Sequence, residues 1–268
     1  MNDPASTTRN RILASLPSEQ LDRLRIDAED LRLKQVLVDV NKPIEKVYFP
    51  EDSVVSILGV MSDGTAIETA TVGREGMIGI PLFLGTDQTS SQAFCQVPGR
   101  AFSMTADAFR SALRESPEFV AILQRYTQAL FVLVQQGAAC NRVHSMPQRC
   151  ARWLLHTHDR IGRDQFPLTH QFIAQMLGVR RATVTDAMSS LARSHAIAYD
   201  MGVITIRNRE KLEAEACECY LTITREFDRL LGTKWAPSPS PLSHLRTSEN
   251  EISLLESAHP DEEASMGD

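Results

Sequence analysis

Two adjacent arginines open the stretch with the most evident chemistry, Arg180-Arg181-Ala182-Thr183-Val184-Thr185-Asp186. A guanidinium is a rigid fork of donors that suits paired oxygen acceptors on an anion. At the start of a helix, two such cations oppose the dipole, which disfavours positive charge at that end, so an anionic partner is expected to compensate them. Other candidate chemistries are weaker. The sequence has no GxSxG, HExxH or P-loop, so catalysis finds no framework and an enzyme is not expected. Cys217-Glu218-Cys219 is a CxC pair without the second paired motif of a zinc site, and neither a metal nor another cofactor is expected. Two residues apart on a helix, those thiols should point to different faces, one of them buried as a small hydrophobe. The imidazoles of His156-Thr157-His158-Asp159 diverge in the same way, and that run reads as the capped end of a helix. Gly73, Gly76 and Gly79 are spaced GxxGxxG between strands, which suits structural turns rather than a dinucleotide fingerprint.

The elements that must position the arginines are short. Thr169 precedes a helix with Phe172, Ile173, Met176 and Leu177 facing inward. Gly178 follows directly, where a helix is closed by a left-handed residue. After Val179 a second helix buries Val184, Met188 and Leu191 and leaves Arg180, Arg181, Ala182, Thr183, Thr185 and Asp186 outward. Two helices joined through a glycine turn, the second cationic at its exposed start, form a helix-turn-helix. In that geometry the second helix enters the DNA major groove and its first residues meet base edges. Ala196–Tyr199, a turn at Asp200-Met201-Gly202, and Val203–Ile206 then read as the wing of a winged helix. An ordinary helix pair and hairpin packed for stability would leave the local charge unexplained. Residues 145–211 carry ten Lys+Arg against five Asp+Glu, with four histidines that phosphate contact or packing explains, whereas the whole chain has a net charge of −6. The acidity sits in residues 236–268, with one basic and seven acidic side chains, a Pro- and Ser-rich tail expected to stay disordered.

The 268-residue chain as a whole has the balance of a soluble globular protein, 43% apolar and 23% charged. No apolar run approaches the roughly eighteen residues of a membrane helix. The start, MNDPASTTRN, lacks the apolar centre of a secretory signal. Five scattered cysteines make no disulfide framework, which points to a cytoplasmic protein with reduced thiols. Leu13, Leu16, Leu21, Leu24 and Ile26 give residues 12–29 a helical pattern. From 31 to 105 the runs LRLKQVLVDV, KVYFP, SVVSILGVM, AIETATVG and AFCQV are short and β-branched or alternating, and turn chemistry separates them. They predict a compact antiparallel barrel or roll, with Ser62-Asp63-Gly64 at a hairpin tip. At 105–145 the period becomes helical, with Ser116 and Pro117 at a helix start. Phe119, Ile122, Tyr126, Leu130 and Leu133 belong to an apolar stripe wider than one face needs, expected to bury one side on the roll and the other on a second copy of the chain. Met146-Pro147 ends that helix.

The order of parts, together with LTHQFIAQMLGVRRATVT and VGREGMIG, resembles the CRP/FNR superfamily of bacterial transcription regulators over about residues 12–231. The resemblance implies an α+β protein: a 1–30 helical segment, a jelly-roll-like β-roll sensor at 31–116, a dimerisation helix at 117–145, a winged helix at 146–235 and the tail. It places Arg181 where the family sets an arginine on guanine, whose O6 and N7 suit the fork. Thr169, Gln171 and Thr183 match phosphate-holding positions, and His170 lies among them. Ala182 stands where well-known members have glutamate, and Asp186 where they have a second arginine, so a different half-site is implied. Asp186 would accept from a cytosine amino group or orient Arg180 or Arg181.

In the family's cyclic-nucleotide pocket, a glutamate holds the ribose and an arginine holds the phosphate. The aligned effector-pocket candidates here are Gly79-Ile80 and Ser90-Ser91, with no arginine between Arg74 and Arg100. Cyclic AMP bound in that way is not expected, because a buried phosphate would lack its cation. An iron–sulfur sensor is not expected either, since residues 1–94 contain no cysteine. The expected function is that of a homodimeric regulator on a two-fold-symmetric site in double-stranded DNA. An unidentified small-molecule effector would act through the roll, and RNA polymerase would be a further partner of an activator. The alternatives are a signalling module whose winged helix contacts proteins, and a thiol sensor working through Cys95, Cys140, Cys150, Cys217 or Cys219.

Overall fold

A computed structural model describes residues 8–232, so the acidic tail expected at 236–268 lies outside the described residues. Two single-turn helices come first, α1 (Arg11–Ala14) and α2 (Ser18–Leu21). They are followed by β1 (Asp27–Leu31), β2 (Val36–Val38), β3 (Lys46–Pro50), β4 (Val54–Val60), β5 (Ala66–Val72), α3 (Ile80–Phe83), β6 (Ser91–Val97), β7 (Gly99–Thr105) and α4 (Ala106–Glu115). The strands form two antiparallel sheets, ordered β1-β7-β3 and β2-β6-β4-β5. Gly64 supplies the positive φ at the β4–β5 hairpin tip, where Thr65 N–H donates to Asp63 Oδ1 at 2.9 Å.

The helical pattern at 12–29 is corrected. Helix ends at Leu21, and residues 27–31 are instead an edge strand paired with β7. Asp27-Ala28-Glu29-Asp30 is too polar to announce a strand, and its pairing with a distant segment decides the matter. The strand β7 was not foreseen for a related reason. It follows β6 after the single residue Pro98 and pairs not with β6 but with β1 and β3.

Next come α5 (Pro117–Val143) and α6 (Met146–Ile161). Ser116 caps the first through Phe119 N–H, and at Ser145 a capping box with Gln148 restarts the second. The winged unit continues with β8 (Gln165–Pro167), α7 (His170–Leu177), α8 (Arg181–Arg193), β9 (Ile197–Asp200) and β10 (Val203–Ile206). Two helices close it, α9 (Arg209–Glu215) and α10 (Cys219–Leu231). The run His156–Asp159 lies inside α6, whose end comes later at Gly162 in the left-handed conformation.

The apolar stripe of α5 has a different use from the one expected. Phe119, Ile122, Tyr126 and Leu133 are buried in the chain's own core, and Leu130 packs at its edge. One side of α5 meets the roll, and the other meets α10, whose Ile223, Phe227 and Leu231 join the same core. Thus α10 covers the face expected for a second copy. Short of its last residue, Val143, the apolar side chain that α5 leaves most exposed is Phe131, at 56%.

Candidate nucleic-acid interface

The two helices that carry the arginines are fixed by local chemistry. Thr169 caps α7 by accepting from Phe172 N–H at 3.2 Å. Gly178 ends it with φ +64°, and a Cβ there would meet Ile67 Cδ1 at 3.1 Å, so both conformation and space favour glycine. Ile173, Ala174, Met176 and Leu177 are buried, and Phe172 is half-buried, edge-on to Phe94 of the roll with centroids 6.3 Å apart. In α8 the residues Val184, Ala187, Met188 and Leu191 are buried.

Arg180, Arg181, Ala182, Thr183 and Asp186 are all exposed at the start of α8, and Thr169 and Gln171 are exposed at the start of α7. The structure therefore brings these sequence-predicted residues to one accessible surface. Arg180 occupies the N-cap position without a side-chain cap, so the first amides of α8 and both guanidinium groups stand together as donors.

Two of the predicted residues also make contacts within the unit. His170 is half-buried and stacks on Tyr199 of β9, with centroids 4.0 Å apart and planes 25° apart. Its Nδ1 is 3.1 Å from Thr185 Oγ1, and that hydroxyl spends its single proton on Arg181 O, also at 3.1 Å. The imidazole must then be the donor at Nδ1. Burial and the neighbouring Arg181 charge lower the His170 pKa, which keeps the ring neutral. His170 and Thr185 thus join the start of α7, the first turn of α8 and the wing.

The wing has one more strand than expected. Its order is β8-β10-β9, with Ile204 opposite both Phe166 and Tyr199. Met201 and Gly202 take positive φ at the tip, and Met201 is 95% exposed.

Behind the arginines, the winged unit is held against the roll. Trp153 Nε1 donates to Glu68 Oε1 at 2.7 Å, and Arg160 Nη2 donates to Thr71 O at 2.8 Å. Arg149 Nη2 donates to Leu177 O at 3.1 Å, satisfying the C-terminal end of α7.

The effector-pocket candidates fall on two different elements. Gly79 is the N-cap of α3 with φ +102°, packed against Val47, and Ile80 begins that helix. Ser90 is exposed and Ser91 opens β6. The spaced glycines serve packing, because Gly73 lies under the Arg160 side chain and Gly76 under the Tyr126 ring.

The cysteine expectation also needs correction. Cys217 precedes α10 and Cys219 begins it, so the pair does not lie on one helix, and both thiols are buried. They meet Cys140 and His144 from the end of α5, with the four ligand atoms within 4.8 Å of one another. The missing half of the motif was Cys140-x-x-x-His144, a spacing that the CxC alone did not suggest.

Comparison with known proteins agrees with this geometry. Residues 148–215 match the family model of the Crp-like helix-turn-helix domain. The chain is 25% identical over 197 residues to the global nitrogen regulator of Synechococcus elongatus, covering 69% of this chain and 88% of that protein. It is 26% identical over 182 residues to the CRP-like cAMP-activated global transcriptional regulator of Mycobacterium tuberculosis, covering 65% and 81%. FixK2 from Bradyrhizobium japonicum shares the fold, with a TM-score of 0.62 at 18% identity over 72% of this chain and 98% of that one. A β-roll, a long helix and an exposed cationic recognition helix, in that order, place the chain in the CRP/FNR superfamily of DNA-binding transcription regulators.

Proposed function

We propose that the protein reads a two-fold-symmetric operator as a homodimer, with Arg181 selecting a guanine in each half-site. The observation that carries this reading is the exposed cluster of Arg180, Arg181, Thr183 and Asp186 on the first turns of α8. Arg181 supplies the bidentate fork for guanine O6 and N7. Asp186 lies one turn further along the helix, where it accepts from a cytosine amino group or steadies the guanidinium. Thr169, Gln171, Arg180 and Thr183 hold backbone phosphates, which supply affinity without sequence information. His170 and Thr185 position the arginine turn and do not themselves read DNA.

Pairing of two chains is assigned to the exposed side of α5 around Phe131, flanked one turn away by Gln128 and Gln135. Two-fold symmetry would set the recognition helices about 34 Å apart, one turn of DNA. The roll receives the signal. One relative is described as cAMP-activated, but Ile80 and the stretch at Ser90-Ser91 offer neither the carboxylate nor the guanidinium of a cyclic-nucleotide site. We therefore assign a different effector to this roll. The proposed role is regulatory, not catalytic, and is exerted in the cytoplasm; among the described residues no helix is long and apolar enough to cross a membrane.

Selection from a random pool of duplex DNA tests this reading. Enriched inverted repeats with a guanine at a fixed place in each half are the expected result, and an unenriched pool would overturn it.

A further inference from the structure

Three cysteines and a histidine, far apart in sequence, converge where α5 ends. Cys140 lies in the last turn of α5 and His144 is its C-cap, while Cys217 follows α9 and Cys219 opens α10. Cys140 Sγ and Cys217 Sγ are 3.6 Å apart, and His144 Nδ1 is 3.5 Å from Cys219 Sγ. A tetrahedral ion with metal–sulfur bonds of about 2.3 Å and metal–nitrogen bonds of about 2.0 Å sets S···S edges near 3.8 Å and S···N edges near 3.5 Å. The 3.6 and 3.5 Å separations match those edges, and every other pair of ligand atoms lies within 4.8 Å. We propose that Cys140, His144, Cys217 and Cys219 bind one thiophilic divalent ion of the zinc type in a Cys3His site.

The surroundings are those of a ligand shell. His144 Nε2 lies 3.0 Å from Glu218 Oε1, which leaves Nδ1 facing the thiols. This carboxylate–imidazole arrangement fixes the orientation of a metal-binding histidine. Gln136 Nε2 donates to Cys219 Sγ at 3.2 Å. The three thiols form a buried cluster of their own. Three thiolates, a neutral imidazole and a divalent ion carry one net negative charge, and the Arg149 and Arg152 charges of α6 act on Cys140 to offset it.

Hydrogen bonding from Cys217 holds the Cys140 thiol well below its ordinary range, with Arg152 assisting against burial, while the Cys217 thiol is correspondingly raised. Binding of the ion would displace the thiol protons to solvent. A polynuclear iron–sulfur cluster spreads its thiolates around several irons, farther apart than this compact set allows. Cys95 and Cys150 stand outside the set, and burial pushes both thiols up to about 12.

The position gives the site a structural role. An ion here would fasten the end of α5 to α9 and α10 at the break before α6, where the chain passes into the winged unit. The metal site stands on its own geometry and does not depend on the DNA reading. Full-length protein purified under reducing conditions is expected to hold one zinc per chain by elemental analysis. After stripping, one equivalent of Co(II) should restore the thiolate charge-transfer and d–d bands of a tetrahedral site, and Cys217→Ser should abolish them. Glu218 is exposed and ligates nothing, so Glu218→Ala should fold normally yet lose about 10–100-fold in metal affinity. Failure of wild-type protein to take up Zn(II) or Co(II), a Cys140–Cys217 disulfide under these conditions, or iron–sulfur absorption would overturn the proposal.

Discussion

Arg160 of α6 and Glu75 of the loop after β5 form an ion pair at 2.8 Å, with each side chain only 1% exposed. The same guanidinium reaches Thr71 O at 2.8 Å and His156 O at 3.0 Å, while Glu75 accepts from Gly73 N–H at 3.1 Å. One buried arginine thus fastens the winged unit to the roll. Removing one member of such a pair leaves the other charge buried and uncompensated. Arg160→Met should therefore cost about 3–5 kcal/mol in urea unfolding. Adding Glu75→Gln to it should recover much of that loss. Equal losses from the single and double variants would show that packing, not charge, holds the junction.

Arg181→Ala should weaken binding to the selected operator by about 1–3 kcal/mol and relax the preference at one base pair of each half-site. Arg180→Ala should weaken operator and random DNA alike and lower the salt slope by about one. Quantitative binding at several salt concentrations separates the two. An equal loss on both DNAs for Arg181→Ala would remove its base-reading role.

Apart from Val143 at its very end, α5 leaves Phe131 as its most open large apolar side chain, and the core residues of that helix are satisfied within the chain. Phe131→Asp should shift the protein from dimer to monomer in sedimentation velocity without changing its circular dichroism. Operator affinity should fall with it, because each half-site would then be bound alone. A dimer that survives the change would move the pairing surface elsewhere.

Glu68 is half-buried and accepts from Trp153 at 2.7 Å, Ser56 at 2.7 Å and Thr71 at 3.0 Å. Burial raises its pKa above the ordinary 4.5, and these hydrogen bonds with the Arg160 charge offset only part of that. The folded state therefore keeps a proton that the unfolded chain releases. Its contribution is most favourable below pH 4.5 and is lost as pH rises toward the folded value. Glu68→Gln removes the ionisation while keeping an acceptor for Trp153. The variant should gain stability relative to the parent as pH is raised from 4 to 8, read as the difference in unfolding midpoints. A difference that shrinks with pH would mean that Glu68 is held as a carboxylate.

The winged helix was legible because its signals are local. Thr169 and Gly178 mark the two ends of α7, the spacing of Val184, Met188 and Leu191 gives the inner face of α8, and Asp200-Met201-Gly202 gives the wing turn. Each depends on residues within a few positions, so backbone chemistry and period suffice to read it. β1 was not legible, since its acidic residues acquire a strand conformation only by pairing with β7.

What the sequence determined by itself was therefore the arginine-bearing unit, the roll that precedes it and the long helix between them. The partner of each apolar face was decided only in three dimensions. A stripe on α5 states that it must be buried but not by what, and α10 of the same chain supplied a cover that spacing had assigned to a second subunit. The cysteines follow the same logic. Cys140 and Cys217 are 77 positions apart and meet at 3.6 Å because α10 folds back along α5. Periodicity encodes which side of an element turns inward; which distant groups then touch is fixed by packing, where a one-turn shift of either helix would separate the thiols by about 5.4 Å.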